Sequence, residues 1–249
     1  MNDRHVVAII QARMGSTRLP EKVMRSVAGR PMIHHVVERV QQITGVDEVV
    51  VATSTKDREK PLVEYVESMA GVKLFRGPEH DVLRRYAEAA EAFSADVVMR
   101  ITGDCPLLSP RVSAQVLQAF LRSRERCDYA TNTLQRTFPR GLDTAVMSVD
   151  TLRTAHREAT TPQQREHVTV YIWTNPQRFE LVGVRDEVDR HHLRWTVDRA
   201  EDLRFVQRVY DALYHPSSLF EYEDVLALLE EHPQWIEINR GVRQKPIWK

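Results

Sequence analysis

Short, uninterrupted apolar runs separated by stretches of helical spacing organise the first half of the chain. Val6–Ile10, Asp47–Thr53, Val72–Phe75 and Val97–Ile101 are rich in β-branched residues and read as buried strands. Between them, residues 31–43, 58–69 and 80–93 read as helices. In the first of these, Met32, Val36, Val37 and Val40 form an apolar stripe, and Pro31 suits the first helical position. A further helix is expected over 110–123. Strands alternating with helices of this length predict βαβ units and a parallel sheet.

After residue 127 the rhythm changes. Strands are expected at Asp128–Asn132, Ala145–Val149 and Arg178–Val184, with turns at Pro139-Arg140-Gly141 and Asn175-Pro176. Helices are expected over 149–159, 162–174, 200–213 and 221–231, and a short strand over Leu193–Val197. No linker or repeat interrupts the chain. The expectation is one α/β domain over 1–249, doubly wound around a mostly parallel sheet. It would comprise an alternating βαβ half (1–127), an inserted α+β lobe covering the pocket (128–190), and a returning segment with C-terminal helices (191–249).

Composition narrows the function more by exclusion than by assertion. The 249 residues carry 35 Lys+Arg against 35 Asp+Glu, so no cationic field exists to hold nucleic acid or an anionic membrane. No apolar run spans a bilayer and the N-terminus lacks a secretory pattern, which makes the cytoplasm the expected location. Cys105 and Cys127 do not make a disulfide framework, and Cys105 is read as an inert thiol, with a reactive thiol as the alternative. The pairs His34-His35 and His191-His192 place their rings on diverging directions and are not read as metal sites.

The chemistry concentrates where strands end, because open α/β sheets bind ligands beyond the carboxyl ends of their strands. The loop after the first strand, Gln11-Ala12-Arg13-Met14-Gly15-Ser16-Thr17-Arg18-Leu19-Pro20-Glu21-Lys22, combines small residues with three cations. Backbone N–H groups and Arg13, Arg18 and Lys22 together suit a triphosphate. Neither the P-loop spacing nor the G-x-G-x-x-G fingerprint is present. After the fourth strand, Thr102-Gly103-Asp104-Cys105-Pro106 offers Asp104 either as a ligand for Mg²⁺ or as a turn cap. Asp198, after Leu193–Val197, is either a second carboxylate for the same ion or the N-cap of the next helix. Thr53, Ser54, Arg76 and Arg84 follow the second and third strands on the same edge and are candidates to line a nucleotide, although either arginine also suits a structural ion pair.

The loop resembles the signature loop of sugar-activating nucleotidyltransferases. It is most similar to the cytidylyltransferase family of the spore-coat polysaccharide type, relatives of the CMP-KDO and CMP-sialic acid synthetases. The resemblance runs from Ile9 to about residue 240. It includes Gly103-Asp104-Cys105-Pro106, the string Trp195-Thr196-Val197-Asp198 with Glu201-Asp202-Leu203, and the closing EDVLALLEEHP. It implies a Rossmann-like nucleotide-diphospho-sugar transferase fold with an acceptor and dimerisation lobe, and a homodimer. Its activity would be Mg²⁺-dependent CMP transfer from CTP, with release of pyrophosphate. By the same resemblance Asp104 and Asp198 hold the metal, and Lys22, Arg13 and Asp104 are catalytic. Ala12, Met14, Gly15, Ser16, Arg18, Thr53, Ser54, Arg76, Arg84, Thr102 and Gly103 bind nucleotide. Asn132, Arg140, Asp143, Arg165, Glu166, His167 and Arg194 bind an anionic acceptor, a keto-acid sugar or a phosphorylated small molecule. His167 also suits a general base or a structural role. One departure is Glu21, where the family usually has glycine. Two rivals remain: a glycosyltransferase, for which no D-x-D follows a strand, and a non-catalytic nucleotide-binding protein.

Overall fold

The computed structural model describes residues 4–123 and 127–245. Its centre is a seven-stranded sheet, and the first strand, β1 (Val6–Gln11), lies inside it. β1 pairs in parallel with β4 (Glu48–Ser54) on one side and β6 (Val97–Thr102) on the other, and β4 pairs in parallel with β5 (Val72–Gly77). Alternate residues of β1 enter two different cores. Val6, Ala8 and Ile10 pack with helices α1 (Met32–Gln41), α4 (Pro110–Arg122) and α8 (Ala200–Leu213). Val7 and Ile9 pack with α3 (Val82–Ala92) and α5 (Val149–Glu158). Burial on both faces explains why these strands read as continuous apolar runs.

The second half extends the same sheet. β8 (Ala145–Ser148) pairs antiparallel with β6, β7 (Tyr129–Thr131) antiparallel with β8, and β9 (Leu181–Gly183) parallel with β7. The order is therefore β5-β4-β1-β6-β8-β7-β9. α2 (Lys60–Glu67) lies between β4 and β5, and α9 (Tyr222–Glu231) packs behind α8. Among the described residues no helix is long and apolar enough to cross a membrane.

Two expectations need correction, and one small element is new. The single helix over 162–174 is two short ones, α6 (Pro162–Glu166) and α7 (Val170–Trp173), because Val168 between them takes φ 56°. Three successive β-branched residues there weaken helix propensity. Leu193–Val197 is not a sheet strand. It is a strap, with Arg140 N–H donating to the Leu193 carbonyl, Trp195 N–H to the Arg140 carbonyl and Val197 N–H to the Asp104 carbonyl. A small ribbon, β2 (Ser26–Val27) with β3 (Arg30–Pro31), turns through Ala28 and Gly29 just before α1 and was not anticipated.

Candidate active site

The parallel register of β1 and β6 carries two loops to the same sheet edge. Gly103 N–H donates to the Gln11 carbonyl at 2.8 Å, and a Cβ at position 103 would meet Gln11 O and the Ala12 Cβ at 3.0 Å. Glycine thus lets the Asp104 turn lie directly against the loop that follows β1. The strap adds the third component, because Val197 N–H and the Thr196 hydroxyl both donate to the Asp104 carbonyl, at 2.8 and 3.2 Å. Asp198 is the next residue.

Lys22 joins the three. Its Nζ donates to Asp104 Oδ2 at 2.7 Å, to the Val197 carbonyl at 2.8 Å and to Asp198 Oδ1 at 3.0 Å. Burial opposes the charge on Asp104, but the Lys22 ammonium overrides it and holds the carboxyl down at about 2. Burial likewise opposes the Lys22 charge, and the two carboxylates reverse that and raise its pKa. Arg18 donates to Asp198 Oδ1 at 2.7 Å, and Arg194 to Asp198 Oδ2 at 2.9 Å. Asp198 takes no backbone N–H among the described residues, so it is not the helix cap. That part belongs to Asp202, fully buried, which accepts from the N–H groups of Asp198 and Arg199 at 2.9 and 3.0 Å and pairs with Arg194 Nε at 2.9 Å. Arg194, expected on the acceptor, has its guanidinium committed to Asp198, Asp202 and Gln244.

Two carboxylates within reach of one cationic atom form a donor set for a hard divalent ion. Lys22 Nζ is the stand-in that demonstrates this reach. No group of three or more His, Cys, Asp and Glu side chains converges among the described residues. The pair therefore suits an ion that takes its remaining ligands from a substrate and water.

The backbone of the loop after β1 is shaped from behind by a residue that the sequence did not single out. Glu59 is fully buried and accepts from Met14 N–H at 2.8 Å, the Thr53 hydroxyl at 3.0 Å and the Ser54 hydroxyl at 3.0 Å. Thr53 and Ser54, expected to face a nucleotide, are turned inward by these bonds. Ala12 and Met14 are also buried, and Ser16 N–H donates back to the Met14 carbonyl, so these residues set the loop's curvature. Arg13 and Gly15 line a cavity of about 630 Å³ with Thr17, Asp81 and Arg165. Arg76 donates to the carbonyls of Ser54 and Lys56, at 3.2 Å each, and braces the loop after β4. Arg84 lies on the exposed face of α3, paired with Glu88. The sequence signal for Glu59 was faint: an acid in a first helical turn, shortly after two hydroxyls at a strand end.

Acceptor-side candidates divide in the same way. Asn132 is buried and pins its own loop, donating to the Leu142 carbonyl at 2.7 Å and accepting from Thr144 N–H at 3.0 Å. Asp143 accepts a bidentate pair from Arg136, both contacts at 2.6 Å; burial opposes its charge and Arg136 lowers its pKa in spite of that. Arg165 pairs with Asp81, the α3 N-cap, and donates to the His156 carbonyl. Glu166 borders the Arg13 cavity. His167 is half-buried, and burial lowers its pKa. The Arg140 guanidinium has no partner among the described residues and borders a second cavity of about 590 Å³. Thr102 Oγ1 lies 3.1 Å from Cys105 Sγ, whose thiol burial pushes well above the ordinary range, which removes it as a nucleophile.

Known proteins resemble the chain over most of its length. A profile described as cytidylyltransferase matches residues 7–232. The chain is 33% identical over 217 residues to the spore coat polysaccharide biosynthesis protein SpsF of Bacillus subtilis, covering 84% of this chain and 87% of that one. It is 34% identical over 186 residues to a 3-deoxy-manno-octulosonate cytidylyltransferase of Anaeromyxobacter dehalogenans, covering 69% and 74% respectively. A solved cytidylyltransferase from Leptospira borgpetersenii superposes with a TM-score of 0.89 at 29% identity, covering 98% of this chain and all of that one. Residues spanning nearly the whole fold match the family, and the chain belongs to the cytidylyltransferase family as a CTP-dependent nucleotidyltransferase.

Proposed function

We propose that the enzyme transfers CMP from CTP to an anionic small-molecule acceptor, a keto-acid sugar or a phosphorylated compound, in a Mg²⁺-dependent reaction that releases pyrophosphate. Surface-polysaccharide or related biosynthesis is its setting. The observation that carries this reading is the convergence of Lys22, Asp104 and Asp198 at the joined ends of β1 and β6. Similar proteins support it by their names: one is the octulosonate cytidylyltransferase above, and another is a CMP-KDO synthetase solved with CTP. A further protein of the same fold was solved with manganese.

Transfer of this kind needs in-line positioning and charge neutralisation rather than covalent catalysis. Gly15 and the residues around it let the triphosphate approach the backbone, while Arg13 and Arg18 neutralise the β and γ phosphates that leave. Lys22, already paired with both carboxylates, supplies the cation next to the phosphate under attack. Glu59 keeps the loop in register from beneath. Asp104 and Asp198 would hold the Mg²⁺ ion, which when bound would supply charge neutralisation for the phosphates and acidify the acceptor hydroxyl. Arg140, whose guanidinium has no partner among the described residues, is a cation available to the acceptor.

The test is pyrophosphate release with each nucleoside triphosphate and Mg²⁺ against a panel of keto-acid sugars and phosphorylated acceptors. Acceptor-dependent release with CTP alone is expected. If CTP neither reacts nor binds in calorimetry, the reading fails.

A further inference from the structure

Arg58 is a cation of the cleft that the loop after β1 does not itself supply. It comes from the short turn Asp57–Glu59 after β4, next to the Glu59 that accepts from Met14 N–H at 2.8 Å. Glu59 is fully buried beneath the loop, whereas the Arg58 side chain lies on the loop's outer side and is 51% exposed. A Cβ at position 15 would stand 2.9 Å from Arg58 Nη2, 3.2 Å from Cζ and 3.3 Å from Nε. Three atoms of one guanidinium at nearly equal distances place its plane across Gly15, and glycine is what leaves it that room.

The same guanidinium pairs with Glu79 on the loop after β5, whose side chain is only 7% exposed. Burying a carboxylate is costly, and a partner half in water offsets little of that cost. As a support for the fold the pair is poor; as a means of fixing one edge of a guanidinium it is good. Arg58 and Glu79 both line the cavity of about 630 Å³ that Arg13 and Gly15 border. The other cations nearby leave a gap in charge there. Arg18 and Lys22 are held by Asp198, at 2.7 and 3.0 Å, and Lys22 by Asp104 as well. Arg165 is paired with Asp81. Arg13 is then the one loop cation without an ion pair among the described residues, and a single guanidinium does not answer the charge of a triphosphate.

We infer that Arg58 grips the terminal phosphate of the bound nucleotide, and that Glu79 is its positioning residue. Glu79 takes one edge of the guanidinium, and the remaining donors meet phosphate oxygens, a division of labour that a planar fork supports and an ammonium does not. Lys22, Asp104 and Asp198, which serve the phosphorus under attack, are not among the residues lining this cavity. Arg58 therefore acts at the other end of the triphosphate, on the pyrophosphate that leaves. Its contact reads neither base nor acceptor, only the number of phosphates. The proposal rests on the CMP-transfer reading and adds to it a residue from outside the loop's own sequence signature.

The experiment titrates CTP, CDP and CMP with Mg²⁺ into wild type, Arg58→Met, Arg58→Lys and Glu79→Gln, followed by calorimetry. Arg58→Met is expected to weaken CTP by roughly 30-fold, the size of one hydrogen bond to a charged group, and to leave CMP unchanged. Arg58→Lys should recover part of the loss, since it keeps the charge without the fork. Glu79→Gln keeps the shape and loosens the guanidinium, so CTP should weaken by less than in Arg58→Met, again with CMP unchanged. Unchanged CMP affinity also shows that each variant is folded, and if Arg58→Met does not fold, the Lys and Gln variants decide by the same ratio. Wild-type CTP affinity in Arg58→Met overturns the proposal. So does an equal loss for CTP and CMP, which would put Arg58 on the nucleoside or in the fold. If the variants behave alike while CTP still binds, the CMP-transfer reading stands without Arg58; if wild type binds no CTP, both fall.

Discussion

Lys22 is the side chain on which the site's charge balance turns. Replacing it leaves two carboxylates facing each other without the cation between them. Lys22→Ala should lower turnover by at least about 100-fold, a loss of the size seen when one stabilising donor is removed from a transition state. Pyrophosphate release measures this, and an unchanged circular dichroism spectrum shows that the fold survives. The same pair has a pH signature. Asp104, held at about 2 against an ordinary 3.8, contributes stability that is complete above about pH 4 and disappears as pH falls toward 2. Lys22, raised above 10.5, stays charged throughout that window. The stability gap between wild type and Lys22→Ala should therefore narrow below about pH 4 in urea titrations, and a constant gap would contradict the pairing. Glu21 stands where the resembling family uses glycine, and its φ of 57° explains that preference. It is exposed and makes no ion pair among the described residues. Glu21→Gly should stabilise the protein by up to about 1 kcal/mol in chemical denaturation while leaving turnover intact.

At the scale of elements, the strap over 193–197 governs where Asp198 falls. The Pro139-Arg140-Gly141 turn holds the strap, and Gly141 does so with φ 115° and no room for a side chain. A Cβ there would lie 2.6 Å from Thr196 N and Trp195 C. Gly141→Ala combines backbone strain with a backbone clash and should cost about 3 kcal/mol or more, read from the melting transition, with CMP transfer falling in step. The turn was legible from its proline and glycine, and the helix after it from its spacing. The strap was misread as a strand because LRWTV has strand composition, yet its carbonyls and N–H groups are taken by the Arg140 and Asp104 turns. The break at Val168 was equally hidden. Residues 162–174 have helical spacing, and only packing against α3 and α5 decides that the chain turns left-handed there.

Across the whole molecule, a buried cation with no carboxylate partner among the described residues ties α1 to the turn after β6 and to the C-terminal segment. Arg39 of α1 donates to the Tyr210 hydroxyl at 3.2 Å, the Leu108 carbonyl at 3.2 Å and the Phe220 carbonyl at 2.9 Å, and lies 4.2 Å from the Phe220 ring centroid. Arg39→Leu keeps the apolar stem but leaves those acceptors unpaired, and should cost about 3 kcal/mol in urea denaturation. A smaller loss would mean that water replaces the guanidinium. Apolar periodicity is a local property, so the sequence alone determined the alternation of strands and helices, the parallel half of the sheet and the three loops that carry the cations and acids. Side-chain direction is not local. Lys22 meets Asp104 and Asp198 from 82 and 176 positions away. That meeting depends on the register of β1 against β6 and on the strap that crosses them. Tertiary structure alone turned Thr53 and Ser54 inward to Glu59, placed Asp202 rather than Asp198 at the helix cap, and committed Arg194, expected on the acceptor, to Asp198 and Asp202. In each case a buried polar group had to find its partner, and only the folded chain could supply one.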